Sequence, residues 1–146
     1  MTDMERRPQP YRPVRLLPLF LAMGLLFYQS HQPGDSFSLP DIDHIDKLLH
    51  CLAYAVLGLA FLFALPPRWR RQRPVPAGCA VVLFCLLYGV FDEWHQSFIP
   101  GRFAGIDDAA ADAAGGVLAV VGDWTWRRWR TIMKTSGGSR ESARSG

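Results

Sequence analysis

No uninterrupted apolar run of full membrane-spanning length stands out in this sequence of 146 residues. Mean hydropathy is only +0.05, yet apolar residues are segregated into four stretches that are nearly free of charge: 14–30, 51–65, 75–91 and 113–122. Each is short against the roughly 20 residues that a helix needs to cross the hydrocarbon core. The second and fourth lengthen if their polar starts, 46–50 and 106–112, belong to the same helices. We therefore predict an all-α membrane protein, a bundle of four transmembrane helices.

Basic residues are almost absent from alternate connections between these stretches. Of 16 Lys and Arg, only Lys47 and Arg102 follow the first and third stretches; four arginines lie before or at the start of the first stretch, four lie between the second and third, and six basic residues follow the fourth. This is the positive-inside pattern, which predicts cytoplasmic termini. Because the basic residues form no single soluble face, we expect contacts with membrane lipids and no nucleic-acid partner.

Disulfide bonds and a cleaved leader are not expected. The three cysteines, Cys51, Cys79 and Cys85, are odd in number and lie in apolar stretches, which is unlike a disulfide framework. No small-residue cleavage site follows the first stretch, so we interpret it as an uncleaved helix. We predict a disordered cytoplasmic lead over residues 1–13, a membrane domain over 14–130 and a disordered basic tail over 131–146.

A polar cluster interrupts the end of the third stretch, and nothing about solubility or packing requires it. Asp92, His95 and Gln96 stand at i, i+3 and i+4, so they share one face of a helix, and Glu93 lies beside them. Pro100 and Gly101 then break the helix. We expect Arg102 to fold back from this break toward the acids.

Further polar residues begin the second and fourth helices. Asp46, a candidate N-cap, is followed by Lys47, His50 and Tyr54, which form a polar stripe descending into an apolar helix. Asp108 caps the fourth helix in the same way, whereas Asp112 lies one turn deeper among alanines. A carboxylate at that depth is a functional candidate. The predicted topology brings all three groups to the extracytoplasmic side, where Lys47 and Arg102 can neutralise carboxylates.

These polar runs resemble the VanZ-like family. The matching patterns are Asp46-Lys47-x-x-His50-x-x-x-Tyr54, Asp92-Glu93-x-His95-Gln96-x-Phe98-x-Pro100-x-Arg102 and Asp108-x-x-x-Asp112-x-x-Gly115. Many relatives have Asn where this chain has Asp112. The family is named for a protein that gives low-level resistance to the glycopeptide teicoplanin. The resemblance implies a bacterial inner-membrane protein of the cell envelope and supplies no biochemical activity.

The first hypothesis for function is a binding site. The polar residues would recognise a lipid-linked or amphiphilic envelope molecule, such as an envelope precursor or a glycopeptide, at the outer leaflet. Lys47 and Arg102 would hold a phosphate or carboxylate, while Tyr54, Trp94 and Phe98 line the lipid-facing wall. The remaining ligand-binding candidates are the polar groups around them: Asp46, Asp92, Gln96, Asp108 and Asp112.

Two alternatives stay open. In a membrane-embedded enzyme, His50 or His95 would act as general base, oriented by Asp46 or Glu93, or imidazoles and carboxylates would hold a divalent metal that activates water. No zinc-like spacing and no activated Ser or Cys nucleophile supports this directly. In the second alternative the polar groups form a structural network that fixes helix order. The sequence does not decide the oligomeric state; Gly115 and Gly116 are a candidate surface for a homodimer.

Overall fold

The computed structural model describes residues 11–33, 45–102 and 105–142, with side chains described as far as Lys134. These residues form five α-helices and no strand. A short 3-10 turn, Pro13–Leu16, leads into the first helix. The helices are α1 (Leu17–Ser30), α2 (Ile45–Ala64), α3 (Pro67–Gln72), α4 (Pro74–Gln96) and α5 (Ile106–Ser142).

Three segments are long and apolar enough to cross a membrane: Pro13–Ser30, Ile45–Ala64 and Pro74–Gln96. They coincide with the first three predicted helices, and α2 does include the polar residues at its start, as we expected. Large apolar side chains such as Leu21, Leu25 and Leu87 are exposed along them, as expected of surfaces that face lipid. The chain is thus an all-helical, multi-pass membrane protein.

Helix α5 lies between α2 and α4 and makes its most extensive contacts with them. Small residues permit this packing. A methyl group on Gly58 would lie 2.8 Å from the Cβ of Ala119, and one on Gly116 would lie 3.0 Å from the Cβ of Cys85. Such close approach is the usual function of small residues between membrane helices. It uses Gly115 and Gly116 inside one chain, so the suggestion that they pack against a second copy is not supported.

The apolar core lies below the polar ends of the helices. Tyr54 and Leu57 of α2 and Val81 and Cys85 of α4 are almost completely buried. Helix α1 is tied to α4 by the Tyr88 hydroxyl, which donates a hydrogen bond of 2.8 Å to the carbonyl of Met23. These contacts fix the relative positions of α1, α2 and α4, on which the polar groups depend.

The structure differs from the sequence-based prediction in two places. Residues 67–72 form the short helix α3, which we did not predict; it starts at a proline, a favourable first helical residue. Helix α5 continues to Ser142, through most of the tail predicted to be disordered; residues 131–142 contain no proline, so every residue there keeps the backbone N–H that a helix needs. Residues 1–10 of the predicted lead, 34–44 of the first connection and 143–146 lie outside the described residues.

Candidate functional site

Three of the predicted residues meet between α2, α4 and α5: His50, Glu93 and Asp112. One ligand atom from each lies within 4.8 Å of the other two. Nδ1 of His50 is 3.0 Å from Oδ1 of Asp112. Asp112 is 0% exposed and Glu93 7% exposed. This three-residue group, called the acidic triad below, is the most deeply buried ionisable cluster among the described residues.

The triad carries polar atoms without partners. Oε2 of Glu93 accepts a hydrogen bond of 2.8 Å from the backbone N–H of Gly105, and this bond orients the carboxylate. Oε1 of Glu93 and Oδ2 of Asp112, by contrast, are buried and have no protein hydrogen-bond donor. Buried polar atoms in folded proteins are normally satisfied by protein, water or ions. The triad is therefore chemically incomplete without a further group.

A second buried cluster joins α1 to α4. Oδ2 of Asp92 accepts hydrogen bonds from the Ser30 hydroxyl, at 2.7 Å, and from the Gln96 side-chain amide, at 3.0 Å. Asp92 and Gln96 share one helix face, as predicted. The hydroxyl and amide that donate these bonds are both uncharged. The cluster can therefore fix the angle between the two helices, but it gives the Asp92 carboxylate no cationic partner.

Arg102 does fold back, but it contacts different groups from those we expected. Its Nε and Nη2 donate hydrogen bonds of 3.1 and 2.9 Å to the carbonyl oxygens of Gln32 and Gln29. Gln29 lies in the last turn of α1 and Gln32 just after it, so Arg102 adds donors at the end of the helix, where the last carbonyls have few partners within the helix. The expected pairing of Arg102 with the acids is replaced by this cap.

Lys47 is surrounded by carboxylates. Its Nζ lies 2.6 Å from Asp107, 3.2 Å from Asp46 and 3.3 Å from Asp108. Asp46 and Asp107 are exposed, so this group ties the start of α2 to the start of α5 at the surface.

We expect Lys47→Met to lower the stability only slightly and in a salt-dependent way. Ion pairs between exposed groups are weak and are screened by salt. The measurement is the thermal midpoint of wild type and variant in detergent at low and high ionic strength. The difference between the two proteins should shrink as salt is added; a large difference that persists in high salt would contradict this assignment.

The remaining predicted residues are placed separately. His95 lies against His31, the residue that follows α1, with Nε2 of His95 3.3 Å from Nδ1 of His31, and does not contact the triad. Tyr54 is 1% exposed and its hydroxyl is buried without a partner. It therefore does not line a lipid-facing wall, whereas Trp94 and Phe98 are exposed and could do so.

Two openings lie beside these clusters. A cavity of about 40 Å³ between α1, α2 and α4 is lined by His50, Tyr54, Asp92 and Arg102, a size that suits water molecules. An open groove of about 490 Å³ runs between α4 and α5. Its wall includes Glu93, which also belongs to the triad. Glu93 thus connects the groove with the buried His50–Asp112 pair.

Several participants escaped sequence reasoning. Ser30 and His31 end the first helix and were not singled out, because a lone Ser or His at a helix end carries no periodic signal. Asp107 was not among the predicted site residues, because capping already explains an aspartate at the start of a helix. Gly105 contributes a backbone N–H, which no side-chain pattern reveals.

These observations define the class of protein. It is a multi-pass helical membrane protein with polar residues buried between its helices. The family comparison is more specific, because the model of the VanZ/LLP1 family matches residues 14–127. The chain belongs to this family, as its polar motifs indicated. No match was found among curated proteins or among solved structures.

Proposed function

We propose that this protein crosses the bacterial inner membrane four times, with α5 as the fourth span and both termini in the cytoplasm. The support is the distribution of charge. Arg70 and Arg127 contact Asp123 at one end of the bundle, whereas the triad and the Lys47 group lie at the other. By the positive-inside rule, this distribution favours an extracytoplasmic position for the polar clusters.

The proposed function is binding of an amphiphilic envelope molecule in the groove between α4 and α5. The observation that carries it is the composition of the groove wall. Leu86, Val90 and Ala109 supply apolar surface, while Glu93 supplies one carboxylate. An amphiphile has the same two parts, an apolar chain and a polar head group. We therefore place the head group at Glu93 and the chain along the apolar residues.

Aromatic residues extend the groove wall. The rings of Trp94 and Phe98 pack edge to face with centroids 5.3 Å apart, and Trp94 also contacts the groove. Both residues are mostly exposed. Aromatic side chains of this kind favour the boundary between lipid tails and head groups, which is the depth at which a head group would meet Glu93.

The geometry disfavours direct anion binding by the two basic residues. Lys47 already faces three aspartates, and Arg102 donates to two carbonyls. A phosphate would have to displace these partners. Glu93 by itself instead suits a head group that carries hydroxyl or amine donors, as sugars and amines do.

The test is native mass spectrometry of gently solubilised protein, comparing wild type with Glu93→Gln. We expect wild type to carry a discrete lipid adduct that the variant loses, because the exchange removes charge and keeps shape. Asp123→Asn is the matched control, since it removes one carboxylate at the other end of the bundle. An adduct of equal intensity in all three proteins would contradict the proposed site.

A second candidate function is hydrolysis or transfer on the same molecule. The observation that favours it is the 3.0 Å contact of His50 with Asp112, because a carboxylate that orients an imidazole is the arrangement of a general base. The partner is Asp112 instead of the predicted Asp46 or Glu93. Conversion of the adduct to a product of different mass, abolished in His50→Gln, would establish it.

The family resemblance further predicts altered teicoplanin susceptibility in cells that express the protein, with the growth-inhibitory concentration as the readout.

A further inference from the structure

We propose that His50, Glu93 and Asp112 form a site for one divalent cation, of the Mn²⁺ or Zn²⁺ class. One imidazole nitrogen and two carboxylate oxygens, all within 4.8 Å of one another, come from three different helices. A ligand set built across α2, α4 and α5 depends on the whole fold.

The distances are compatible with coordination after small side-chain rotations. Metal–ligand bonds of about 2.0–2.2 Å in a tetrahedral site hold neighbouring donors about 3.3–3.6 Å apart. The His50–Asp112 contact of 3.0 Å is close to this spacing, whereas the widest separation in the triad, up to 4.8 Å, has to shorten by about 1 Å. Side-chain rotation would have to supply this movement.

The unpartnered oxygens point independently to a ligand. Oε1 of Glu93 and Oδ2 of Asp112 are buried and accept no hydrogen bond from protein, and both side chains are more than nine-tenths buried. Each carboxylate therefore has one oxygen bonded to protein and one without a protein donor, and the Asp112 carboxylate packs closely against Gly89 of α4. A buried acceptor without a partner is costly in free energy, and coordination of an ion would remove that cost.

The charge balance also favours a cation. Among the described residues, no Lys or Arg lies within ion-pair distance of Glu93 or Asp112; the one basic partner is His50. Two buried carboxylates beside a single imidazole leave a net negative charge unless protons are taken up. Buried charges in proteins are normally paired or coordinate a metal, and a divalent ion would provide this compensation.

The donor types select the class of metal. Imidazole suits Zn²⁺ and other transition ions, whereas carboxylates also suit Mn²⁺. The N–H of Gly105, bonded to Glu93, would serve as an outer contact that orients a ligand, a common feature of metal sites. With three protein donors, such an ion would keep at least one further coordination position.

A cation here would change which head group the groove accepts. Because Glu93 borders the groove, an ion held by the triad would lie near the head-group end and would favour a phosphate-bearing amphiphile. This consequence rests on the proposed function, whereas the metal site itself does not.

The experiment is a titration of purified, chelator-stripped, full-length protein with Mn²⁺ in detergent, with free Mn²⁺ followed by electron paramagnetic resonance. We expect one saturable Mn²⁺ per chain, displaced by Zn²⁺. Glu93→Gln and Asp112→Asn should each weaken binding at least tenfold, and Asp123→Asn should not. Pulsed measurements on wild type alone should show coupling of the bound Mn²⁺ to an imidazole nitrogen, a result that does not depend on the folding of any variant.

Absence of saturable binding of either ion, absence of nitrogen coupling, or wild-type affinity in both triad variants would each overturn the metal site. The lipid adduct distinguishes this failure from failure of the proposed function. If the lipid adduct persists after chelation and no Mn²⁺ binds, the proposed lipid-binding function stands and the metal site is wrong. If Mn²⁺ binds and no lipid adduct is found, the metal site stands and the proposed function is wrong.

Discussion

Gly115→Ala is expected to destabilise the folded bundle by at least about 2 kcal/mol, as overpacking of a tight interface does. A methyl group there would lie 2.8 Å from the backbone nitrogen of Ala55 and 2.9 Å from the Cβ of Tyr54, and closer still to the carbonyl of Cys51. Because most of these neighbours are backbone atoms of α2, they cannot rotate away. The measurement is thermal or denaturant unfolding in detergent, together with the yield of monodisperse protein.

Gly122→Ala is the matched control on the same helix. A methyl group at Gly122 meets nothing within 4 Å, so only intrinsic helix propensity changes, and alanine is favoured there by about 0.5–1 kcal/mol. The two substitutions are chemically identical and should have opposite signs. If Gly115→Ala is tolerated as well as Gly122→Ala, the close packing of α2 against α5 is wrong.

The second large effect concerns Asp92. We expect Asp92→Leu to lower the stability by about 2–4 kcal/mol, because the buried Ser30 hydroxyl would lose its acceptor and the Gln96 amide would lose one of its two. Asp92→Asn retains an acceptor oxygen and removes a buried charge, so it should change the stability by less than about 1 kcal/mol. Unfolding midpoints of the two variants, measured under the same conditions as for wild type, test this.

The Asp92→Leu and Asp92→Asn variants also distinguish a structural role of Asp92 from a role in ligand binding. A folded Asp92→Asn protein that keeps its lipid adduct would assign Asp92 to the packing of α1 against α4. A folded variant that loses the adduct would return Asp92 to the ligand-binding residues predicted from the sequence. Equal destabilisation by Leu and Asn would show that the negative charge of Asp92 stabilises the fold, and that its role as a hydrogen-bond acceptor is not sufficient.

The helices were largely predictable because each reflects a local property. The starts of α2 and α4 follow from the change between polar and apolar residues, and the end of α4 follows from Pro100 and Gly101 after its polar cluster. Helix α3 was missed because six residues carry no periodic signal. The extent of α5 was missed because composition alone was taken to indicate disorder beyond residue 130.

The residues of the site could be predicted from the sequence, but the contacts among them were harder to predict. His50, Glu93 and Asp112 were all identified, since polar groups in apolar helices are conspicuous. Their grouping depends on how α2, α4 and α5 are rotated about their axes, which follows from tertiary packing around the glycines. The partners of Arg102 are backbone carbonyls. Such partners cannot be identified by looking for side chains of complementary charge in the sequence.

The position of α5 has a consequence for membrane insertion during synthesis. Among the described residues it is not one of the three segments that are long and apolar enough to cross a membrane, and it carries the fully buried Asp112. Its two principal neighbours, α2 and α4, precede it in the chain and are therefore already made when α5 leaves the ribosome. If α5 spans the bilayer as proposed, it partitions onto a preassembled protein surface instead of into lipid.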